Sequence, residues 1–395
     1  MSAWPRQPIA SLGTVTTGST PRTSEEHFYG GDIPFVTPAE LDQIDPIMNA
    51  ARTLSESGSQ EARLLPEGTV MVCCIGSLGK VGIAGRTVAS NQQINSVIFD
   101  PRLIWSRYGF YACRLLKSRL QTLAPATTVA IVNKSKFEQL EIPVPPLPEQ
   151  RRIAEILDRA EALRVKRRAA LAQLDELIKS IFFDIFGDPI TNPKRWPRAP
   201  FTNLLTNIDS GWSPVCLDRP VEDEEWGVLK LGAVTWCEYN PSENKALPDN
   251  LDPDPNLEVK PGDLLFTRKN TYELVAACAL VQDTPPRLMM SDLIFRLRLR
   301  HDAGIDPNYL HQLLIYPTKR REIQKLAGGS ASSMPNISKA KLNTAQIEIP
   351  PLTLQQEFAY RISAVEKLKK THEASLAELD SLFASLQYRA FRGEL

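Results

Sequence analysis

VNKSKFEQLEIPVPPLPEQRRI at 132–153 lies over ISKAKLNTAQIEIPPLTLQQEF at 337–358 without a gap, at a constant offset of 205 residues. Pro145, Pro146, Leu147 and Gln150 fall on Pro350, Pro351, Leu352 and Gln355. The register continues with Leu171, Leu174, Leu177, Phe183 and Phe186 on Leu376, Leu379, Leu382, Tyr388 and Phe391. The openings also repeat, WPRQP at 4–8 and WPRAP at 196–200, but at an offset of 192, so the second copy holds 13 more residues between its opening and its close. Solenoid repeats have periods of roughly 20–50 residues. A repeat this long describes a duplicated pair of domains, and the fold must be built twice.

Each copy has the same internal order. A mixed segment of short apolar runs and turns comes first, at 1–146 and 193–351. VMVCCI at 70–75, INSVIF at 94–99, DLLFTR at 263–268 and LIFRLRLR at 293–300 have the length and composition of strands. Residues 108–123 and 307–326 read as helices, the second interrupted near Pro317. Pro-rich hinges, EIPVPPLP and EIPPLT, close the segment.

A long helix follows in each copy, at 147–187 and 352–393. Ile153, Ile156, Ala160, Leu163, Ala170, Leu174, Leu177 and Ile181 recur at three and four, as do Phe358, Val365, Leu368, Leu379, Leu382 and Leu386. Pro148 suits a first helical turn, Thr353 with Gln356 suits a capping box, and Gly187 and Gly393 suit helix ends. Arg167 and His372 share one mid-seam position; either they fix register or they point outward where the pattern drifts. Each helix is about 55 Å long at 1.5 Å per residue. A single apolar seam needs a partner, and duplicated halves make the two helices antiparallel partners. The expected class is α+β: two mixed α/β domains joined by an antiparallel coiled coil, with a pseudo-twofold internal repeat and one domain at each end of a rod.

The bulk properties narrow the function. At 395 residues and 43% hydrophobic the chain holds two to four domains. It has no run of 18 apolar residues and no charged stretch followed by an apolar one at its start, which predicts neither a membrane span nor a secretory signal and a cytoplasmic location. The six cysteines show no paired spacing and read as free thiols, and the four histidines show no metal-ligand spacing. With 46 basic and 46 acidic residues the chain is not a simple polycation, although charge is segregated in the second half. Acidic stretches at 222–225 and 249–254 contrast with Arg268, Lys269, Arg296, Arg298, Arg300 and the 319–321 run.

Catalytic signatures are missing. Gly76-Ser-Leu-Gly79-Lys80 has two residues between its glycines and Val81 after the lysine, whereas a nucleotide cradle needs four and then Ser or Thr. The loop is either a backbone and lysine contact to an anion such as a DNA phosphate or a plain turn between strands. There is no GxSxG, HExxH or GxGxxG, and no Asn or Asp before Pro-Pro-aromatic for gripping a flipped base. Two similar domains without chemistry describe a binder or an adaptor, with no catalytic, cofactor or metal residues of its own.

The order of globular domain, PPLPEQRRIAEIL helix, globular domain and PPLTLQQEFAYRI helix resembles the specificity subunit of type I restriction–modification systems over essentially the whole chain. TGSTP at 17–21, GSLGK at 76–80 and NQQIN at 91–95 add to the resemblance; in the second copy SGWSP at 210–214 replaces the first, and TRKN at 267–270 stands near where GSLGK would fall. The resemblance implies that each domain reads one half of a split, asymmetric site in double-stranded DNA. It implies that the helices set the half-site distance and dock two methyltransferase subunits, which bind S-adenosylmethionine and methylate adenine. Two motor-nuclease subunits complete the restriction form.

The candidate DNA contacts in the first domain are the turn Gly18, Ser19, Thr20 and Pro21, the loop Ser77, Gly79 and Lys80, the amides Asn91, Gln92 and Gln93, and Thr127, Thr128, Asn133, Lys134 and Lys136. In the second they are Trp212, Arg268, Lys269, Asn270, Ser330, Ser332 and Ser333. Two alternatives compete: a structural adaptor with two protein-binding domains on a coiled-coil rod, and a methyltransferase fused to its reader. Sequence-independent DNA binding, or none, would mark the first; methyl transfer by the isolated chain would mark the second.

Overall fold

The computed structural model describes residues 4–124, 129–328 and 334–395. The chain forms two compact units, Met1–Ala169 with Glu373–Leu395, and Ala170–His372. Each long helix, Leu147–Phe186 and Leu352–Ala390, therefore gives one end to each unit.

The first unit is built on a four-stranded antiparallel sheet in the order Gly13–Thr17, Ile94–Phe99, Val70–Cys73, Val81–Ile83. A second small sheet joins Thr53–Leu54, Tyr29–Val36, Val88–Ser90 and Leu64–Leu65, with Phe35 and Ala89 paired in parallel. Strand Arg6–Pro8 pairs with Glu141–Pro143 and ties the start of the domain to its hinge. The second unit repeats the frame. Leu205–Ser210, Ile294–Leu299, Leu264–Thr267 and Cys278–Leu280 form its antiparallel sheet, and Arg198–Pro200 pairs with Gln346–Glu348. The four strands expected from the apolar runs are present; 94–99 keeps its full length and the other three are trimmed to four or six residues.

The expected single helix at 108–123 is two, Ser106–Arg114 and Lys117–Leu123. Its counterpart is Pro307–Ile315 and Pro317–Gln324, with Pro317 opening the second piece because it has no N–H to lose in a first turn. These helices press aromatic residues between sheet and long helices. In the first unit Tyr108 and Tyr111 lie 5.4 and 6.5 Å from Phe391 and Phe383, ring to ring, and share a core with Ile153 and Leu157. In the second, Phe182 and Phe186 meet Phe358 and Tyr309 at 4.7–5.9 Å. Such pairs contribute about 0.5–1.5 kcal/mol each beyond their burial. Within each unit the start of one long helix packs on the end of the other, so they run antiparallel.

The hinge motif has a definite job. Gln150 is fully buried; its Oε1 accepts the Trp105 N–H at 2.8 Å and its Nε2 donates to the carbonyls of Leu103 and Pro145, both at 2.8 Å. Gln355 does the same for Asp306 N–H, Gly304 and Pro350. Three backbone groups that no secondary structure serves are thereby satisfied in each unit, one in a buried bond and two in part-buried ones. The carbonyls of Pro146 and Pro351 accept the first helical N–H groups, at 149–150 and 354–355. The second helix thus begins at Leu352, and the expected capping box at Thr353 and Gln356 does not form because Thr353 is already inside the first turn. Gly187 and Gly393 take φ of +77° and +78°, as helix-ending residues do.

The seam of the long helices also differs from expectation. Leu163, Leu177, Leu368 and Leu382 are 44–52% exposed. Two cations occupy the seam instead. Arg164 Nε bonds Asp380 Oδ1 at 2.6 Å beside buried Glu161, and 205 residues later Lys369 Nζ bonds Asp175 Oδ1 at 2.6 Å and Glu238 Oε1 at 3.0 Å. Asp175 and Asp380 are themselves 205 residues apart, so each unit carries one copy of the same cross-helix ion pair. Long basic side chains can occupy a seam because their methylene stems bury while their heads reach carboxylates. Arg167 and His372 are both half-buried, one turn further along.

Candidate nucleic-acid interface

In the first unit, TGSTP and NQQIN come together at one end of the main sheet. The Gly18 and Ser19 N–H groups donate to the carbonyls of Ile94 (3.0 Å) and Ser90 (2.9 Å). A side chain at Gly18 would meet the carbonyl oxygens of Asn91 and Ser90 at 2.2 and 2.3 Å, so only glycine permits this approach. Arg63 holds the turn from below, its Nη1 donating to Thr17 O at 2.7 Å and its N–H to Ser19 Oγ at 3.2 Å. Asn91 and Gln93 are occupied with each other, Asn91 Nδ2 donating a hydrogen bond to Gln93 Oε1 at 2.8 Å. Gln92 is exposed, and its Oε1 accepts the hydroxyl of exposed Thr20. Pro21 and Gly18 are buried, so the outward groups of this turn are Thr20 and Gln92, with Ser19 half-buried.

The Gly76–Lys80 turn stands beside it, linked by the Cys74 N–H to Gln93 O at 2.8 Å. Ser77 is exposed, Gly79 is buried at φ +78°, and half-buried Lys80 donates from Nζ to Pro38 O at 3.3 Å. With Asp42, Lys117 and Gln121, Ser77 and Lys80 line an open cavity of about 370 Å³. The thiols beneath are inert: burial pushes Cys73 up and Cys74 up to about 12, so neither is a thiolate nucleophile. Asn133 caps helix Lys134–Glu138 by accepting the Lys136 N–H at 2.9 Å. Lys134 pairs with Glu138 at 3.5 Å, and both Lys134 and Lys136 are exposed. Thr127 and Thr128, like Ser330, Ser332 and Ser333, lie outside the described residues.

The second unit rebuilds this frame from different residues. The Trp212 N–H donates to Met290 O at 3.0 Å as Ser19 does to Ser90, and Gly211 approaches the Met290 and Ser291 carbonyls as closely as Gly18 does its own. The Ile294 N–H bonds Ser291 O at 3.1 Å, as Ile94 bonds Asn91 O at 3.2 Å. Arg268 N–H bonds Leu293 O, as Cys74 does Gln93 O. SGWSP is therefore the structural equivalent of TGSTP, Pro214 of Pro21, and the exposed Ser213–Asp292 hydrogen bond of Thr20–Gln92.

The same hydrogen bonds fix the position of TRKN. Thr267 N–H bonds Ala277 O where Cys73 N–H bonds Lys80 O, and Ala276 holds the positive φ of Gly79. Arg268, Lys269 and Asn270 thus occupy the places of Cys74, Ile75 and Gly76, and the place of Lys80 holds buried Ala277. Arg268 lies over the Phe295 ring at 5.2 Å and donates to Asn336 Oδ1 at 3.1 Å. Asn270 is 6% exposed and bonds Thr235, an internal role. Lys269 is half-buried, and Trp212 is 36% exposed. Ser338 caps helix Lys339–Asn343 as Asn133 caps its own, which places exposed Lys339 and Lys341 where Lys134 and Lys136 stand. Sequence reasoning missed Lys339 and Lys341 although the ungapped overlay aligns them. It also passed over Ser213, although it lies within SGWSP, and Arg63 and Asp292, for which the sequence carries no signal.

Among the described residues no group of three His, Cys, Asp or Glu is placed to hold a metal ion, and no helix is long and apolar enough to cross a membrane.

Comparison with known proteins gives a consistent result. The chain matches the family described as Type I restriction modification DNA specificity domain over residues 1–173 and again over 229–381. It is 35% identical to the Escherichia coli type I restriction enzyme EcoEI specificity subunit over 194 residues, 49% of this chain and 32% of that protein. It is 23% identical to the EcoKI specificity subunit of Escherichia coli K12 over 99% of this chain and 89% of the relative. The crystal structure of the type I restriction–modification S subunit from M. genitalium matches with a TM-score of 0.59 at 15% identity, covering 99% of this chain and 96% of that one.

Proposed function

Because the chain belongs to the type I restriction–modification DNA specificity family, we propose that it is the sequence-reading subunit of such a complex. Each unit reads one half of a bipartite, asymmetric site in double-stranded DNA through the turns at the end of its main sheet. The observation that carries this is a shared backbone frame, Gly18 and Gly211 against equivalent carbonyls, presenting unlike exposed groups in the two units. A frame that fixes position while its outward groups vary is what two readers of different sequences need.

The chain carries no catalytic group in this account and acts in the cytoplasm. Two methyltransferase subunits dock on the long helices and bring S-adenosylmethionine, and two motor-nuclease subunits join for cleavage. Their surfaces supply much of the phosphate grip, which a chain of zero net formal charge needs. A mobility-shift titration of the chain assembled with its methyltransferase tests the function. Retention of a small selected subset from a pool of random duplexes is expected; equal retention of all duplexes, or of none, points to the structural adaptor instead.

A further inference from the structure

Resting on that DNA-reading function, we propose that Gln92 and Asp292 are equivalent base-reading positions, and that the difference between them helps make the two half-sites unlike. Their equivalence is set by backbone. The peptides 90–94 and 290–294 receive or make matching hydrogen bonds at three points, from Ser19 or Trp212, from Cys74 or Arg268, and through the Ile94 or Ile294 N–H, and Gly18 or Gly211 packs against them. Both tips are exposed, and in both a hydroxyl from the facing turn, Thr20 or Ser213, donates to the terminal group. The hydroxyl fixes which oxygen faces inward, so each tip presents a defined set of hydrogen-bonding groups.

The chemistry of the two tips differs. With its Oε1 already oriented, Gln92 still offers an acceptor and an Nε2 donor side by side, the pattern that pairs with N6 and N7 of adenine. Asp292 offers acceptors only. Beside a polyanion an exposed carboxylate is repelled unless it meets a donor, so it cannot be a phosphate contact. In the major groove guanine shows two acceptors and thymine one, and adenine places N7 next to its amino group. The cytosine N4 amino group has no acceptor neighbour on its own edge and suits a carboxylate best. The first unit is therefore assigned an adenine at the Gln92 position and the second a cytosine at the Asp292 position.

The test uses the full chain assembled with its methyltransferase, selecting from a randomised duplex pool. Gln92→Ala should lower the preference for adenine at one position of one half-site by roughly 5- to 100-fold and leave the other half-site unchanged. Asp292→Asn should lower the preference for cytosine at one position of the other half-site, and Asp292→Gln should move that preference toward adenine. Thr20→Val and Ser213→Ala, which remove the orienting hydroxyls, should keep base identity while broadening it. Unchanged preferences in a complex that still selects, or a uniform loss of affinity across all duplexes, would overturn the assignment and leave the DNA-reading function standing. A wild-type complex that selects nothing would overturn both.

Discussion

The two units solve the same structural problem with the same residues and face outward with different ones. The buried amides of Gln150 and Gln355 satisfy equivalent sets of three backbone groups, and Tyr108 and Tyr309 donate their hydroxyls to equivalent carbonyls of Pro143 and Glu348. At the turns the glycine and the proline are shared, and the neighbours change from Ser19, Thr20 and Gln92 to Trp212, Ser213 and Asp292. A buried amide that completes backbone hydrogen bonds cannot drift without cost, whereas an exposed group on a fixed backbone can. The duplication therefore separates what holds a reader together from what it reads.

The largest effect should come from the shared part. Gln150→Leu and Gln355→Leu each strand one N–H and two carbonyls, at about 1–3 kcal/mol per buried group. Each should destabilise its own unit by about 3–5 kcal/mol in denaturant titrations followed by hydrogen exchange, and by similar amounts. A loss in one unit only would break the equivalence.

The ion pairs sharpen the comparison next. Arg164→Met leaves Glu161, whose side chain is 3% exposed, without its closest cation, and should cost about 3 kcal/mol. Lys369→Met removes the equivalent cation from Asp175 and Glu238, which are 47% and 69% exposed, and should cost about 1 kcal/mol or less. Equal losses in chemical denaturation would contradict this asymmetry.

A third difference concerns pH. On the helix that carries Tyr108 or Tyr309, the first unit has Phe110 where the second has His311, whose Nε2 lies 3.1 and 3.2 Å from the carbonyls of Cys278 and Cys237. Burial lowers the His311 pKa below 6.5, with Lys369 adding to the shift and the two carbonyls and Glu238 opposing it. A histidine whose folded pKa is depressed binds its proton more readily when unfolded. Its stabilising contribution is thus complete above about pH 6.5 and declines as the pH falls through that value. On acidification the second unit should lose stability that the His311→Phe variant keeps; identical pH profiles would contradict a role for the histidine.

The smallest effect is on affinity. Lys80 has no cation at its equivalent place in the second unit, so Lys80→Ala should weaken binding evenly across sequences and reduce the salt slope by about one. An unchanged slope would make the Gly76–Lys80 segment a plain turn.

Much of the frame is legible in the sequence because the ungapped overlay runs through buried, backbone-serving residues such as Gln150 and the hinge prolines. The helix seam shows its period but not its phase. Arg164 and Lys369 look like surface residues, and Leu163 and Leu368 beside them look like core, so apolar periodicity alone selects the wrong pair. The turns are least legible. SGWSP and TGSTP share a glycine and a proline, and nothing in the letters pairs Gln92 with Asp292, since that pairing rests on hydrogen bonds between segments about 70–80 residues apart. The place of TRKN is hidden for the same reason: the turn after Asn270 is three residues longer than the one after Gly76.

The account's central claim is that one chain carries two unlike readers at a set separation. Mapping methylated bases across the genome of a host that expresses this chain with its methyltransferase tests it most directly. The result expected is a single motif of two different half-sites divided by a constant run of unspecified bases. A contiguous motif, two identical half-sites, or a variable interval between them would contradict it.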